Sequence, residues 1–184
     1  MALSGASIVD AKILTLANSM ALDVFYIQDV NGHAYDGGER IERLKRRIGD
    51  AAMGRLHPGR ELRAQVARTT SSRTRMFRVP PRVIFDNRAS AGHTVIEVNG
   101  RDRPGFLYDV TSTLTALGVQ IVSAHISTYG ERVVDVFYVK DVFGLKIDQP
   151  QKLERLEKQL FDAILPPEER SADAPANDDA EAAE

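Results

Sequence analysis

The stretch GASIVDAKI at residues 5–13 returns as GVQIVSAHI at residues 118–126, and DVFYIQDV at residues 23–30 returns as DVFYVKDV at residues 135–142. The spacing between the copies changes by one residue from the first block to the second, so the earlier copy holds one extra residue in its turn. Downstream, Ile41, Leu44 and Ile48 recur at helical spacing, as do Leu153, Leu156, Leu160 and Ile164. Self-similarity at this level marks one structural unit used twice.

The later copy reads as the fuller one. His93 to Val98 (HTVIEV) alternates and is β-branched, which predicts a strand. Asn99 to Gly105 is turn-rich, and Leu107, Val110, Leu114 and Leu117 mark one face of a helix closed by Gly118. Val119 to Thr128 and Arg132 to Val139 read as strands around a tight Tyr129-Gly-Glu131 turn. Asp148 can cap and Pro150 can open a last amphipathic helix, ending near Leu165. The order strand–helix–strand–strand–helix is the body of a ferredoxin-like βαββαβ unit, so the fold class expected is α+β.

The earlier copy begins late. Met1 to Ser4 corresponds to the last helical turn at Leu114–Leu117, so residues 1–57 read as a partial unit (strand–strand–helix) lacking its front half. Residues 58–80 read as a basic linker with a short helical piece at Glu61–Ala67. Residues 81–165 read as the nearly complete unit with a leading strand, Arg82–Asp86, expected antiparallel beside His93–Val98 whichever unit owns it. Residues 166–184 are rich in Ala, Asp, Glu and Pro and hold no large apolar side chain, so they read as a disordered acidic tail.

Of the 184 residues, 24 are Lys or Arg and 26 are Asp or Glu, giving a net charge of −2 that by itself points to no polyanionic partner. Zero cysteines exclude disulfides, thiol nucleophiles and Cys-ligated metal centres, and fit a reducing cytosol. No apolar run reaches the ~18 residues of a membrane span, and the N-terminal segment lacks a signal-peptide layout. The reading is a cytoplasmic, membrane-free chain. His33, His57, His93 and His125 are scattered without ligand spacing, so no metal site and no cofactor is expected. No catalytic constellation is evident in the spacing either. Charge is segregated, however, with fourteen Lys/Arg against four Asp/Glu between Arg40 and Arg88. A solvated helix face explains this better than nucleic-acid binding, because Phe77 and Phe85 are the only aromatics there.

The loop Asn99-Gly-Arg-Asp-Arg-Pro-Gly-Phe106 is the candidate site. It passes from a strand end to a helix start, where unpaired amides and the positive helix end favour a carboxylate. Gly105 permits close approach, Pro104 fixes the helix entry, and Asn99 and Asp102 offer acceptors for an ammonium. Those groups suit a free amino acid. On pattern alone a plain helix-capping loop, with Asp102 as N-cap and solvated arginines, is the favoured reading, because such loops are common.

NGRDRPGFLYDVTSTLTALGVQIVSAHISTYGERVVDVFYVKDVFGLKI resembles an ACT domain, a small ligand-sensing βαββαβ module. More narrowly, it resembles the last of two tandem ACT domains at the C-terminus of bacterial bifunctional uridylyltransferase/uridylyl-removing enzymes acting on the PII protein. RVIFDNRASAGHTVIEVNGRDRPGF is similar to the junction between those domains, and DVFYIQDVNGHAYD to the later part of the first. The resemblance implies glutamine or a similar amino acid as ligand, with catalytic domains upstream that act on PII and none of whose motifs occur here. It implies Asn99, Asp102, Arg103, Pro104, Gly105, Phe106 and Leu107 as the ligand loop, with Val119 to Ile121 packed across from it. The missing front half also leaves a strand edge open, which suits a homo-oligomer or a plain interaction module.

Overall fold

A computed structural model describes residues 1–15, 20–69 and 79–166. The tail expectation and much of the linker expectation therefore lie outside the described residues. Along the chain run a 3-10 turn at Ala2–Ser4, β1 (Ser7–Thr15), β2 (Ala21–Gln28), α1 (Gly38–Ala52) and α2 (Pro58–Thr69). There follow β3 (Arg82–Asp86), β4 (Thr94–Arg101), α3 (Phe106–Ala116), β5 (Gln120–Tyr129), β6 (Arg132–Lys140) and α4 (Pro150–Ile164). The six strands form one antiparallel sheet in the order β2-β1-β5-β6-β4-β3. This is the α+β, ferredoxin-like arrangement expected.

The later copy owns the main core. Ile96 and Val98 of β4, Val110 and Leu114 of α3, Phe137 and Val139 of β6, and Leu156 and Leu160 of α4 are each at most 1% exposed. Full burial of side chains of this size contributes about 1.5–3 kcal/mol each. The leading strand lies where the sequence put it: Arg82 pairs with Asn99 and Asp86 with Val95. In the strand order of the unit it fills the outer place beside β4, the place of a fourth strand. Its hairpin is tied down by a buried hydroxyl, since Thr94 Oγ1 donates to Asn87 Oδ1 at 2.7 Å and accepts from the Ile147 amide at 2.8 Å.

The duplication persists in hydrogen-bond detail. Asp29 Oδ1 accepts from the amides of Asn31 and His33, and Asp141 Oδ1 accepts in the same way from Phe143 and Leu145. The Ala2–Ser4 turn ends at Gly5 (φ 71°), as α3 ends near Gly118 (φ 67°), both left-handed.

The copies join through β1 and β5, with Lys12 opposite His125, Ala11 opposite Ile126 and Ile13 opposite Ala124. In the sequence repeat Lys12 matches His125, Ala11 matches Ala124 and Ile13 matches Ile126. Exchanging the copies therefore maps the register onto itself. The two units meet about a pseudo-two-fold axis through the Lys12–His125 pair, as the two halves of an isologous interface do.

Two boundaries differ from expectation. β4 continues through Arg101, so Asn99 and Gly100 lie in the strand and the turn proper is Asp102–Gly105. The segment read as the start of a linker is helical from Pro58, because Pro58 suits a first helical turn and Leu62 finds a buried seat.

Candidate functional site

Gly105 is left-handed at φ 87° and is the N-cap of α3, with no side chain capping that end. Asp102 is therefore not the cap; its amide donates to Glu131 O at 2.8 Å across the turn. Asp102 is exposed as a residue, yet desolvation of its carboxyl raises its pKa above the ordinary 3.8. Phe106 is buried against Gly100, where an added Cβ would stand 2.7 Å from the ring. The loop thus rests on the sheet through an aromatic plate on a bare glycine.

Arg103 is not a solvated arginine. Its guanidinium donates to Ala163 O at 2.8 Å in the last turn of α4 and pairs with Asp109 at 2.6 Å. A cation at that position meets the negative end of α4 and ties the loop to it. The Arg103 Nε is buried without a partner among the described residues.

Asn99 faces the other way. Though only 4% exposed, it lies on the sheet face away from the helices with Glu97 and Arg132, donating to Glu97 Oε1 at 2.7 Å and accepting from Arg132 at 3.5 Å. The strand's two-residue alternation causes this, because Ile96 and Val98 take the helix-covered side. Asn99 is thereby separated from Phe106 and Leu107, which begin α3 on the covered side.

Val119 and Ile121 are also not brought to the loop. Arg101 pairs with Arg132 at one end of β6, while Gln120 pairs with Lys140 at the other. Eight residues of strand separate those rungs, about 26 Å. The physical reason is α3 itself, which carries the chain from one sheet end to the other before β5 starts.

What shares the loop's end of the sheet is the start of the earlier copy. Thr128 Oγ1 donates to Ile8 O at 3.0 Å, and Thr128, Val133 and Gly100 lie on one rung of the sheet. By the repeat, Ala6 and Ile8 are the counterparts of Val119 and Ile121. The strand start at this end of the sheet is therefore that of the other copy, not the expected Val119–Ile121. Spacing within one unit could not reveal this; the pseudo-symmetry does. Three strand spacings, about 14 Å, separate β1 from β4.

α2 lies in that interval. Leu62, 8% exposed, approaches Gly105, where an added Cβ would lie 3.6 Å from Leu62 Cδ1. Tyr108 of α3 packs on Gly59 so closely that a Cβ there would stand 2.5 Å from the hydroxyl. Arg47 of α1 bonds Leu3 O at 2.9 Å and Glu61 at 2.6 Å, linking the N-terminal turn, α1 and α2.

Beneath the loop's strand sits Asp135, 1% exposed and facing the helices beside Val98. Burial, with the Asp102 charge adding to it, pushes its carboxyl up to about 7, against a 3.3 Å bond from the Ser127 amide. Sequence spacing did not single it out as functional, and its burial explains why it titrates unusually. The histidines form no site: His93 and His125 both stand edge-on to Tyr138 at 6.3 Å. No metal-holding group occurs among the described residues, and no helix there is long and apolar enough to cross a membrane. Several cations of the basic stretch are engaged internally, with Arg40 over the Tyr35 ring at 4.4 Å and Arg55 paired with Asp50 at 2.8 Å.

A strand-end loop entering a helix, on an antiparallel sheet with helices on one side, doubled about a two-fold, defines a class. Residues 89–164 match the ACR family N-terminal ACT domain, and the later copy is an ACT domain. The chain is 53% identical over 168 residues to the bifunctional uridylyltransferase/uridylyl-removing enzyme of Azospirillum brasilense, covering 91% of the chain and 18% of that enzyme. It is 52% identical over all 184 residues to the enzyme of the same name from Rhodospirillum rubrum, covering 20% of it. The Gluconobacter oxydans enzyme is 51% identical over 164 residues. The chain thus spans about a fifth of the length of these relatives, and its later copy carries the ACT match. An ACT domain supports a regulatory role.

Proposed function

We propose that the chain senses a small free amino acid, glutamine first among them, in the seam between its two copies. The amides of Gly105 and Leu107 at the positive end of α3 would take the carboxylate, and Asp102 the ammonium, the Phe106 amide being spent on Arg103 O at 3.0 Å. Ala6 to Ile8 would close the seam from the other copy. The observation that carries this reading is the pseudo-two-fold pairing of β1 with β5, which brings an ACT loop and an ACT strand start to one end of the sheet. Its relatives' names add the setting, in which such binding would bias a uridylyltransferase/uridylyl-removing enzyme between its two activities; the PII protein as its target comes from the resemblance of the sequence. A ligand shared by two units can shift their arrangement only by its differential affinity for the two states. Isothermal titration of the chain with glutamine should give saturable heat. Absence of heat with glutamine, glutamate and asparagine alike would overturn the reading.

A second reading, self-association, has its own observation. β2 is an edge strand, and Leu22, Val24 and Tyr26 on it are 49%, 41% and 54% exposed. An open apolar edge of this kind pairs readily with another chain. Sedimentation that stays monomeric across a hundredfold concentration range would remove this reading.

A further inference from the structure

The two edges of the sheet are built differently. β3 is short, carries Arg82 and Asp86 at its ends, and follows Pro80 and Pro81. Charges and prolines of this kind discourage a further strand. β2 is longer, Ala21–Gln28, and Asp23 is its one charge, with no lysine, arginine or proline. Its outer side has no strand partner across residues 21–27 among the described residues, Gln28 alone bridging to Ala34. The repeat supplies a direct comparison, because residues 23–26 and 135–138 are both DVFY. In β6 the corresponding edge is filled by β4, and there Asp135 and Phe137 are 1% exposed and Val136 and Tyr138 half-buried. In β2 Asp23 is exposed, Phe25 is half-buried, and Val24 and Tyr26 are 41% and 54% exposed.

From this contrast we infer that the β2 edge is a docking site for an extended polypeptide segment of β4's kind, which enters antiparallel and continues the sheet. The register follows from the β4–β6 pairing, in which Val95, Ile96, Glu97 and Val98 oppose Tyr138, Phe137, Val136 and Asp135. Carried over by the repeat, alternate apolar residues of the guest oppose Phe25 and Asp23 on the helix side. Its other positions oppose Tyr26 and Val24 on the far side. Backbone pairing along the strand supplies affinity, and the alternating side chains supply selectivity. A guest strand and a second β2 compete for one edge. The guest is favoured because the identical DVFY run in β6 is met by β4's pattern. The inference is independent of the amino-acid reading.

The test adds a peptide of residues 93–101 (HTVIEVNGR) to the whole chain, at up to millimolar concentration. Amide hydrogen exchange within residues 21–27 should slow about threefold or more, while exchange in β3 stays unchanged. A nitroxide at the peptide's N-terminus should broaden Ile27 more than Leu22, which reads the antiparallel direction. A peptide carrying Ile96→Asp and Val98→Asp should bind roughly tenfold more weakly, since each carboxylate would be buried without a partner. No slowing in β2, equal binding of both peptides, or broadening strongest at Leu22 would overturn the inference. Slowing in β2 that appears without peptide as chain concentration rises would give the edge to a second copy, and overturn it as well.

Discussion

Asp135 and Asp23 hold the same place in the two copies, yet Asp135 is 1% exposed and Asp23 lies open to solvent. The difference is the strand and helix, β4 and α3, that cover the later copy. Burial holds a proton on Asp135 up to about pH 7, whereas its ordinary value is 3.8. Between those values the native state keeps a proton that the unfolded chain has released. Stability should therefore fall as pH rises through that window and level off above it. Urea unfolding at pH 5 and pH 8 measures the drop, and Asp135→Asn should flatten it; an equal slope in the variant would clear Asp135 of the effect. Arg103 makes a second residue-scale case. Arg103→Ala gives up the bonds to Ala163 O and Asp109 and should cost about 1–3 kcal/mol in the same assay. Residue roles were the least legible part of the sequence. Arg103 and Asn99 belong to the loop motif, but which side of a strand Asn99 faces depended on β4 running to Arg101, and Arg103's partner lies 60 residues away.

At the level of elements, most of the later copy could be read directly, because alternation in β4 and the leucine spacing in α3 and α4 agree with local turn chemistry. The strand Arg82–Asp86 was legible for the same reason: a short connection leaves antiparallel pairing as its cheapest outcome. α2 was underread. Its sequence is polar and Arg-rich, and among its described residues it is seated by tertiary contacts that spacing does not show, Leu62 by Gly105 and Gly59 under Tyr108. The sheet seam depends on Ala11, which is fully buried where β1 meets β5. A charge there has no partner, so Ala11→Glu should release β1 and β2 while the later copy stays folded. Hydrogen exchange should then show lost protection in β1 and β2 and retained protection in β4 and β6. Loss across all six strands would mean the copies fold as one cooperative unit. On the open edge, Val24→Lys should suppress any concentration-dependent association seen in sedimentation, since a lysine on an edge strand discourages further pairing.

For the whole molecule, the repeat carries more than either copy alone. Duplicated sequence announced two units, but only the register, with Lys12 opposite His125, shows that they meet about a two-fold. By that symmetry Ala6–Ile8, rather than Val119–Ile121, stand at the loop's end of the sheet, so on the proposed reading a ligand would lie in a seam between two units. The regulatory logic follows, because a ligand bridging two units reports on how they are arranged, whereas one held inside a single unit does not. Backbone NMR of the chain titrated with glutamine tests this most directly. The account predicts progressive amide shifts at Gly105, Phe106 and Leu107 together with Ala6, Ser7 and Ile8, with Val119 and Ile121 still. Shifts gathered at Val119 and Ile121 instead, or none at any of these positions, would contradict it.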